Sequence, residues 1–132
     1  MKLYLDSSAI VKLIQREAES NALRRFLRRH RDDRRVTSAL AGVEVVRAIS
    51  AGGPAAIAHA RRQLARVDAI AIDRDLLDMA ATIAPGERLR SLDSIHLASA
   101  QALASDLRAV VSYDERVAAA ARMLGMMTEA PK

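Results

Sequence analysis

Short apolar runs alternating with stretches of helical periodicity predict an α/β fold with a short, mainly parallel central sheet flanked by helices. Residues 107 to 112, with Ala109, Val110 and Val111 at their centre, read as a buried strand. Residues 2 to 5, Lys-Leu-Tyr-Leu, read as another, and each of the two runs is followed by an aspartate, Asp6 and Asp114. No repeat, low-complexity segment or linker divides the chain. Its 132 residues are expected to form a single domain over 1–132.

After Asp6, Ser7 or Ser8 can cap a short helix carrying Ile10, Val11 and Ile14. A second helix is predicted over 19 to 30, where Leu23, Phe26, Leu27 and His30 share one face and arginines occupy the other. Residues 35 to 38 can form a short strand and 39 to 50 a helix containing Glu44. Gly52-Gly53-Pro54 is the clearest break, and Pro54 suits the first turn of a helix over about 54 to 67. A brief strand at 67 to 72 and a helix at 74 to 84 follow, the latter ended by Pro85-Gly86. Residues 92 to 103 are helical in pattern, with Asp93 in the first turn. The last helix covers about 115 to 124, stops at Gly125, and leaves residues 126 to 131 for an edge strand or tail.

Composition narrows the functional classes. With no cysteine, disulfides, thiolate metal sites and cysteine nucleophiles are excluded. No apolar run approaches a membrane span, and the N-terminus lacks the apolar region of a signal peptide, so a cytoplasmic protein with no membrane partner is expected. Aromatic residues number three, Tyr4, Phe26 and Tyr113, too few for a module that stacks bases on several platforms. The net charge of +5 is unevenly spread: residues 1–66 carry 14 basic and 6 acidic side chains, residues 67–132 carry 7 and 10. Arg24, Arg25, Arg28 and Arg29, with Arg31, Arg34 and Arg35, form one group; Arg61, Arg62 and Arg66 form another. Either could neutralise phosphates or an acidic partner, or be a solvated helix face.

Four carboxylates stand out. Asp6 and Asp114 follow strands, and the carboxyl ends of parallel strands are where ligand sites collect. Asp93 precedes Ile95, Leu97 and Ala98, and Glu44 lies inside Leu40-Ala41-Gly42-Val43-Glu44-Val45-Val46, where a buried carboxylate needs a basic partner, solvent or a metal. Singly, each has a plain explanation: Asp6, Asp93 and Asp114 as helix or turn caps, Glu44 as a partner of Arg47 across i, i+3. Together they suit a hard dication such as Mg²⁺, which relieves their repulsion and can polarise a water for phosphodiester hydrolysis. The three scattered histidines, His30, His59 and His96, make a zinc site a weak rival.

The stretches Tyr4-Leu5-Asp6-Ser7-Ser8-Ala9, the Glu44 helix, Leu92-Asp93-Ser94-Ile95-His96-Leu97-Ala98 and Ser112-Tyr113-Asp114-Glu115-Arg116 together resemble the PIN-domain ribonucleases, and most closely the VapC toxins of bacterial toxin–antitoxin pairs. They occur in the family's order over nearly the whole chain. The resemblance implies a PIN-like α/β fold and a metal-dependent endoribonuclease. Asp6, Glu44, Asp93 and Asp114 would then bind Mg²⁺, or Mn²⁺ in its place, directly or through water. It also implies RNA as substrate, a VapB-like antitoxin with a DNA-binding N-terminus and a tail that wraps the toxin, a homodimer, and a toxin–antitoxin hetero-oligomer.

Ser8 and Ser112 could orient water or a carboxylate, or act as caps, and Arg116 could steer phosphate. His96, three residues past Asp93, is expected to make structural hydrogen bonds rather than serve as general base. Other readings are a PIN nuclease of RNA or DNA outside any toxin–antitoxin pair, and a noncatalytic nucleic-acid-binding protein of the same fold. A phosphoryl-transfer domain of similar topology is more distant, because the chain has no Gly-Lys-Ser/Thr phosphate loop.

Overall fold

The computed structural model describes all residues, Met1–Lys132. Five strands form one sheet: β1 (Lys2–Leu5), β2 (Arg34–Ser38), β3 (Asp68–Ile70), β4 (Leu107–Val111) and β5 (Thr128–Glu129), in the order β3-β2-β1-β4-β5. Every neighbouring pair is parallel, so each connection must cross back over a face, and helices make those crossings. Helices α1 (Ser7–Ile14) and α2 (Ser20–Arg29) join β1 to β2; α3 (Ala41–Ile49) and α4 (Pro54–Leu64) join β2 to β3. Helices α5 (Arg74–Thr82) and α6 (Ser91–Gln101) lead to β4, and α7 (Glu115–Met123) leads to β5.

Alternation along the strands assigns the two faces. Leu3, Leu5, Ala109 and Val111 pack with Ile10, Leu23, Phe26, Leu27, Val45 and Ile49 of α1 to α3, a core closed by Ala60 of α4. Tyr4 and Val110 point the other way, against Leu97 and Ala100 of α6 and Val117, Ala120 and Ala121 of α7. A smaller cluster joins Leu76 and Ala80 of α5 to Ala98 of α6. The strands in the middle therefore have apolar residues on both faces, as a doubly covered parallel sheet requires. No helix is long and apolar enough to cross a membrane.

The expected elements are all present, with ends trimmed by local hydrogen bonding. Helix α4 stops at Leu64 rather than 67, because the Arg66 and Val67 N–H groups turn back to Gln63 O and Leu64 O before β3 begins. Gly53 (φ 86°) sets Pro54 at the first turn of α4, and Gly125 (φ 82°) follows the end of α7; both are backbone conformations that glycine adopts readily. The first helix is capped by Asp6, not by Ser7 or Ser8: the carboxylate accepts from the Ala9 N–H at 3.1 Å, one residue earlier than the serines suggested.

Topology then determines where a site can form. The chain leaves β1 towards β2 on one side and returns to add β4 on the other, so the crossovers diverge at the carboxyl ends of β1 and β4, the position at which open α/β sheets bind ligands.

Candidate active site

Asp6 follows β1, and Ser112 and Asp114 follow β4, at that divergence. Asp6 is 3% exposed and is held by neutral donors alone: Ser112 Oγ donates to Oδ2, Ser8 Oγ to Oδ1 at 2.5 Å, and the Ala9 N–H to Oδ1. Burial, the largest influence, pushes the Asp6 carboxyl above the usual aspartate range, and the two hydroxyls and the amide pull it only part of the way back. The serines also tie the two strand ends together. Ser8 Oγ accepts from the Tyr113 N–H at 2.9 Å, and Ser112 Oγ accepts from the Asp114 N–H at 3.1 Å.

Glu44 approaches from α3, on one face of the sheet, and meets α6 from the other. It does not pair with Arg47. Its Oε1 lies 2.6 Å from His96 Nε2 and accepts from Ser7 Oγ at 2.7 Å, because α3 turns Glu44 over the sheet edge and leaves Arg47 exposed. His96 is 4% exposed, and its Nδ1 lies 2.7 Å from the Tyr4 hydroxyl. Burial first, and the nearby Asp6 charge second, push the Tyr4 hydroxyl well above its usual range, so it stays protonated and donates to Nδ1. That assigns the His96 proton to Nε2, where it is donated to Glu44. Burial would raise the Glu44 carboxyl, but the His96 and Ser7 hydrogen bonds outweigh it and hold the group below its ordinary value. The expectation of a structural hydrogen-bonding His96 agrees with this arrangement.

Asp93 occupies the first turn of α6. The Arg90 N–H donates to its Oδ2 at 3.1 Å, and the Arg90 guanidinium forks over both oxygens, Nε to Oδ2 and Nη2 to Oδ1, each at 3.2 Å. Desolvation raises this carboxyl, yet Arg90 outweighs it and the net displacement is downward. The same guanidinium stands 3.7 Å from Asp114 Oδ2. Asp114 caps α7 by accepting from the Arg116 N–H at 3.0 Å, and the Arg116 side chain, half exposed, comes to 3.7 Å from Oδ1.

Arg90 was missed by sequence reasoning; the only signal was its position three residues before a buried acid at a helix start. Ser7 was read as a cap, whereas its hydroxyl serves Glu44. As they stand, no three His, Asp or Glu side chains form a group close enough to hold a metal ion: Glu44 leans to His96, while Asp93 and Asp114 lean to Arg90. The donors nevertheless fit a hard dication by chemistry. They are carboxylate oxygens at one sheet edge, one of them buried with no cationic partner, and thiolates are absent.

A family model described as the PIN domain matches residues 3–123, and the chain belongs to the PIN-domain family. Its relatives within that family are VapC ribonucleases. Ribonuclease VapC46 of Mycobacterium tuberculosis is 51% identical over 129 residues, covering 98% of this chain and 97% of that protein. Ribonuclease VapC35 of the same organism is 44% identical over 131 residues, covering 98% and 96%. In solved structures the fold recurs in Mycobacterium tuberculosis VapC20, described as a Sarcin-Ricin loop cleaving toxin, with a TM-score of 0.73 at 18% identity and coverage of 99% and 100%. It recurs also in VapBC-1 from nontypeable Haemophilus influenzae, with a TM-score of 0.69 at 14% identity and coverage of 98% and 97%.

Proposed function

We propose that this chain is the toxin endoribonuclease of a VapBC-type pair and that it hydrolyses RNA at the edge formed by Asp6, Glu44, Asp93 and Asp114. The observation that carries the reading is that β1, α3, α6 and β4 each bring an acid to the carboxyl end of the sheet, where Arg90 lies against both Asp93 and Asp114 and Asp6 is buried and unmatched by any cation. Membership of the PIN-domain family and near-full-length identity to VapC ribonucleases support it.

The carboxylates of Asp6, Glu44, Asp93 and Asp114 would hold Mg²⁺, with Mn²⁺ as substitute. Such an ion, when bound, supplies a nucleophilic water and positive charge beside the phosphoryl oxygens. The chain's own residues do the positioning. Ser8 and Ser112 fix the Asp6 carboxylate from both oxygens, which keeps it aimed although it is dry. Tyr4, His96 and Ser7 fix Glu44 through Oε1 and leave Oε2 without a hydrogen bond inside the chain. Arg90 holds Asp93 and, being exposed, presents guanidinium N–H groups at the mouth of the site, where they can also reach an RNA phosphate. Arg116 adds a second guanidinium on the Asp114 side.

The partners follow from the same reading: RNA as substrate, a VapB-like antitoxin as inhibitor, and a homodimer that enters a toxin–antitoxin hetero-oligomer. An upstream reading frame for a small DNA-binding protein that copurifies with this chain is the corresponding observation. The test of the activity is cleavage of total RNA by purified protein with Mg²⁺ or Mn²⁺, against excess chelator, alongside Asp93→Asn. Discrete fragments that require both the metal and Asp93 are expected. Equal cleavage in chelator would end the metal reading, and equal cleavage by Asp93→Asn would remove that residue from the mechanism.

A further inference from the structure

At the opposite end of the sheet from the carboxylates, positive charge collects without neutralisation. A cavity of about 330 Å³ opens beside α2, the start of β2 and α4, lined by Arg24, Arg28, Arg35, Arg66, His59 and Gln63 and closed by leucines. No acidic side chain lines it. Nearby cations do find partners: Arg34 pairs with Asp68 at 2.5 Å, and Arg108 pairs with Asp33. Arg24, Arg28, Arg35 and Arg66 have no carboxylate partner at all.

Two of these arginines, Arg24 and Arg35, are held in place, while Arg28 and Arg66 are exposed at the rim. Arg24 is aimed by Nη2, which donates to Leu13 O at 3.2 Å. Arg35 is half-buried in β2, in register with Leu3, and burial first and the Arg66 charge second hold its guanidinium below the ordinary arginine value. Like charges fixed in a concavity focus a positive potential, and an anion relieves their repulsion. Guanidinium forks match phosphate geometry better than any other side chain. Arg35 and Arg66 also line an adjoining recess with Arg31, Arg34, Asp33 and Asp68; there Asp68 pairs with Arg34 and Asp33 with Arg108, which leaves Arg31, Arg35 and Arg66 without a carboxylate partner. Several unpaired guanidiniums spread over α2, β2 and the segment after α4 fit a chain of successive phosphates better than a single small anion, and the lining holds no Phe, Tyr or Trp, the His59 imidazole being its one aromatic ring.

We propose that the cavity of Arg24, Arg28, Arg35 and Arg66 is a second RNA-binding site, one that grips backbone phosphates of the substrate away from the bond being cut. It rests on the ribonuclease reading for the identity of its ligand. Register places Arg35 beside Leu3, three residues before Asp6, roughly 10 Å back along the sheet. The anchored nucleotides therefore lie outside the segment at the acids. Grip through phosphates alone makes the site indifferent to base sequence, so it adds affinity and sets a minimum substrate length, leaving the choice of cleavage position to the acid-lined edge.

The test is binding of a labelled single-stranded RNA in chelator, where no turnover occurs, over a series of salt concentrations. Arg28→Gln/Arg66→Gln removes two exposed charges from the cavity; Arg25→Gln/Arg29→Gln removes the same charge from α2 outside it. Circular dichroism verifies that both stay folded. The cavity variant is expected to bind roughly ten-fold more weakly, with the slope of log K against log salt reduced by about 1.4, or about 0.7 for each of two phosphates, and the control variant to change much less. Equal losses in the two variants would overturn the site in favour of general surface charge. Unchanged RNA binding would also overturn it: stabilisation of the wild type by inorganic phosphate would then mark a small-anion site, and weakened capture of a glutamate-rich peptide a protein-binding one. A failed nuclease reading shows separately, as absent cleavage in metal by the unmodified protein.

Discussion

Asp6 and Asp93 are almost equally hidden, at 3% and 4% exposure, yet their surroundings displace their carboxyls in opposite directions. Asp93 has the Arg90 fork across both oxygens; Asp6 has two hydroxyls and an amide. Burial alone therefore does not set the charge state of an acid at this edge. A guanidinium a few ångströms away supplies a full countercharge, whereas neutral dipoles recover only part of the lost hydration. Asp93 is thus satisfied by the chain itself, and Asp6 is the carboxylate with most to gain from a bound cation.

The strongest way to break this comparison is to neutralise each acid in turn. Asp6→Asn and Asp93→Asn are both expected to lower metal-dependent RNA cleavage by on the order of 10²–10³-fold, measured as initial rates at fixed RNA. In chelator their stabilities should diverge. At pH above the folded Asp6 value, Asp6→Asn relieves a buried unmatched charge and should stabilise the fold, by on the order of 1–3 kcal/mol; Asp93→Asn abandons Arg90 and should destabilise it, by about 1 kcal/mol once solvent around the exposed guanidinium is allowed for.

The pH profile carries the same signs. The raised Asp6 carboxyl contributes stability below the ordinary aspartate value of about 3.9, and that contribution is lost as pH rises through its folded value. The lowered Asp93 carboxyl contributes stability above about 3.9, lost as pH falls through its folded value. Asp6→Asn should therefore remove a loss of stability that sets in as pH rises through the folded Asp6 value, above about 3.9, and Asp93→Asn a loss at the acid end. If urea midpoints of the two variants followed one pH curve, the contrast between the sites would collapse.

Much of this was legible in the sequence, for reasons that also explain the gaps. Asp6 and Asp114 announced themselves because strand ends in a parallel sheet converge whatever the helices do. Asp93 and Glu44 stood out as acids in apolar runs. Partners could not be read in the same way, because they are set by the third dimension: Glu44 meets His96 across 52 positions, while the nearby Arg47 that local spacing favoured points to solvent. Arg90 sits in a loop, where no periodicity indicates direction. The edge strands β3 and β5, of three and two residues, lie below the length at which pattern separates strand from coil.

Glu44 extends the comparison to a third kind of partner, an imidazole polarised from behind. Tyr4→Phe leaves His96 Nδ1 buried without its donor and should destabilise the fold by about 1–3 kcal/mol, with a smaller effect on cleavage, since the Nε2 bond to Glu44 survives. Cleavage lost as fully as in Asp93→Asn, from a folded protein, would mean that Tyr4 does more than orient the ring. For Arg90, removal of the internal countercharge should favour an external one. Arg90→Gln is expected to tighten Mn²⁺ binding several-fold by calorimetry, because the guanidinium no longer competes for Asp93 and Asp114. Weaker Mn²⁺ binding would instead make Arg90 an organiser of the acids.

The smallest effect is expected at Ser8, and it tests whether hydroxyls are what keep Asp6 in place. Ser8 Oγ has two jobs, donating to Asp6 Oδ1 and accepting from the Tyr113 N–H. Ser8→Ala should therefore cost about 0.5–1.5 kcal/mol. It should also push the Asp6 carboxyl further up, since one of the donors that hold it down is gone, and so move the loss of stability that accompanies Asp6 ionisation to higher pH. A double-mutant cycle with Asp6→Asn separates the two jobs. If the hydroxyl serves the carboxylate, the cost of Ser8→Ala should shrink once residue 6 is an amide that no longer needs a strong donor. An identical cost in both backgrounds would assign Ser8 to the link between α1 and the end of β4 through Tyr113, and leave Ser112 as the hydroxyl on which Asp6 depends.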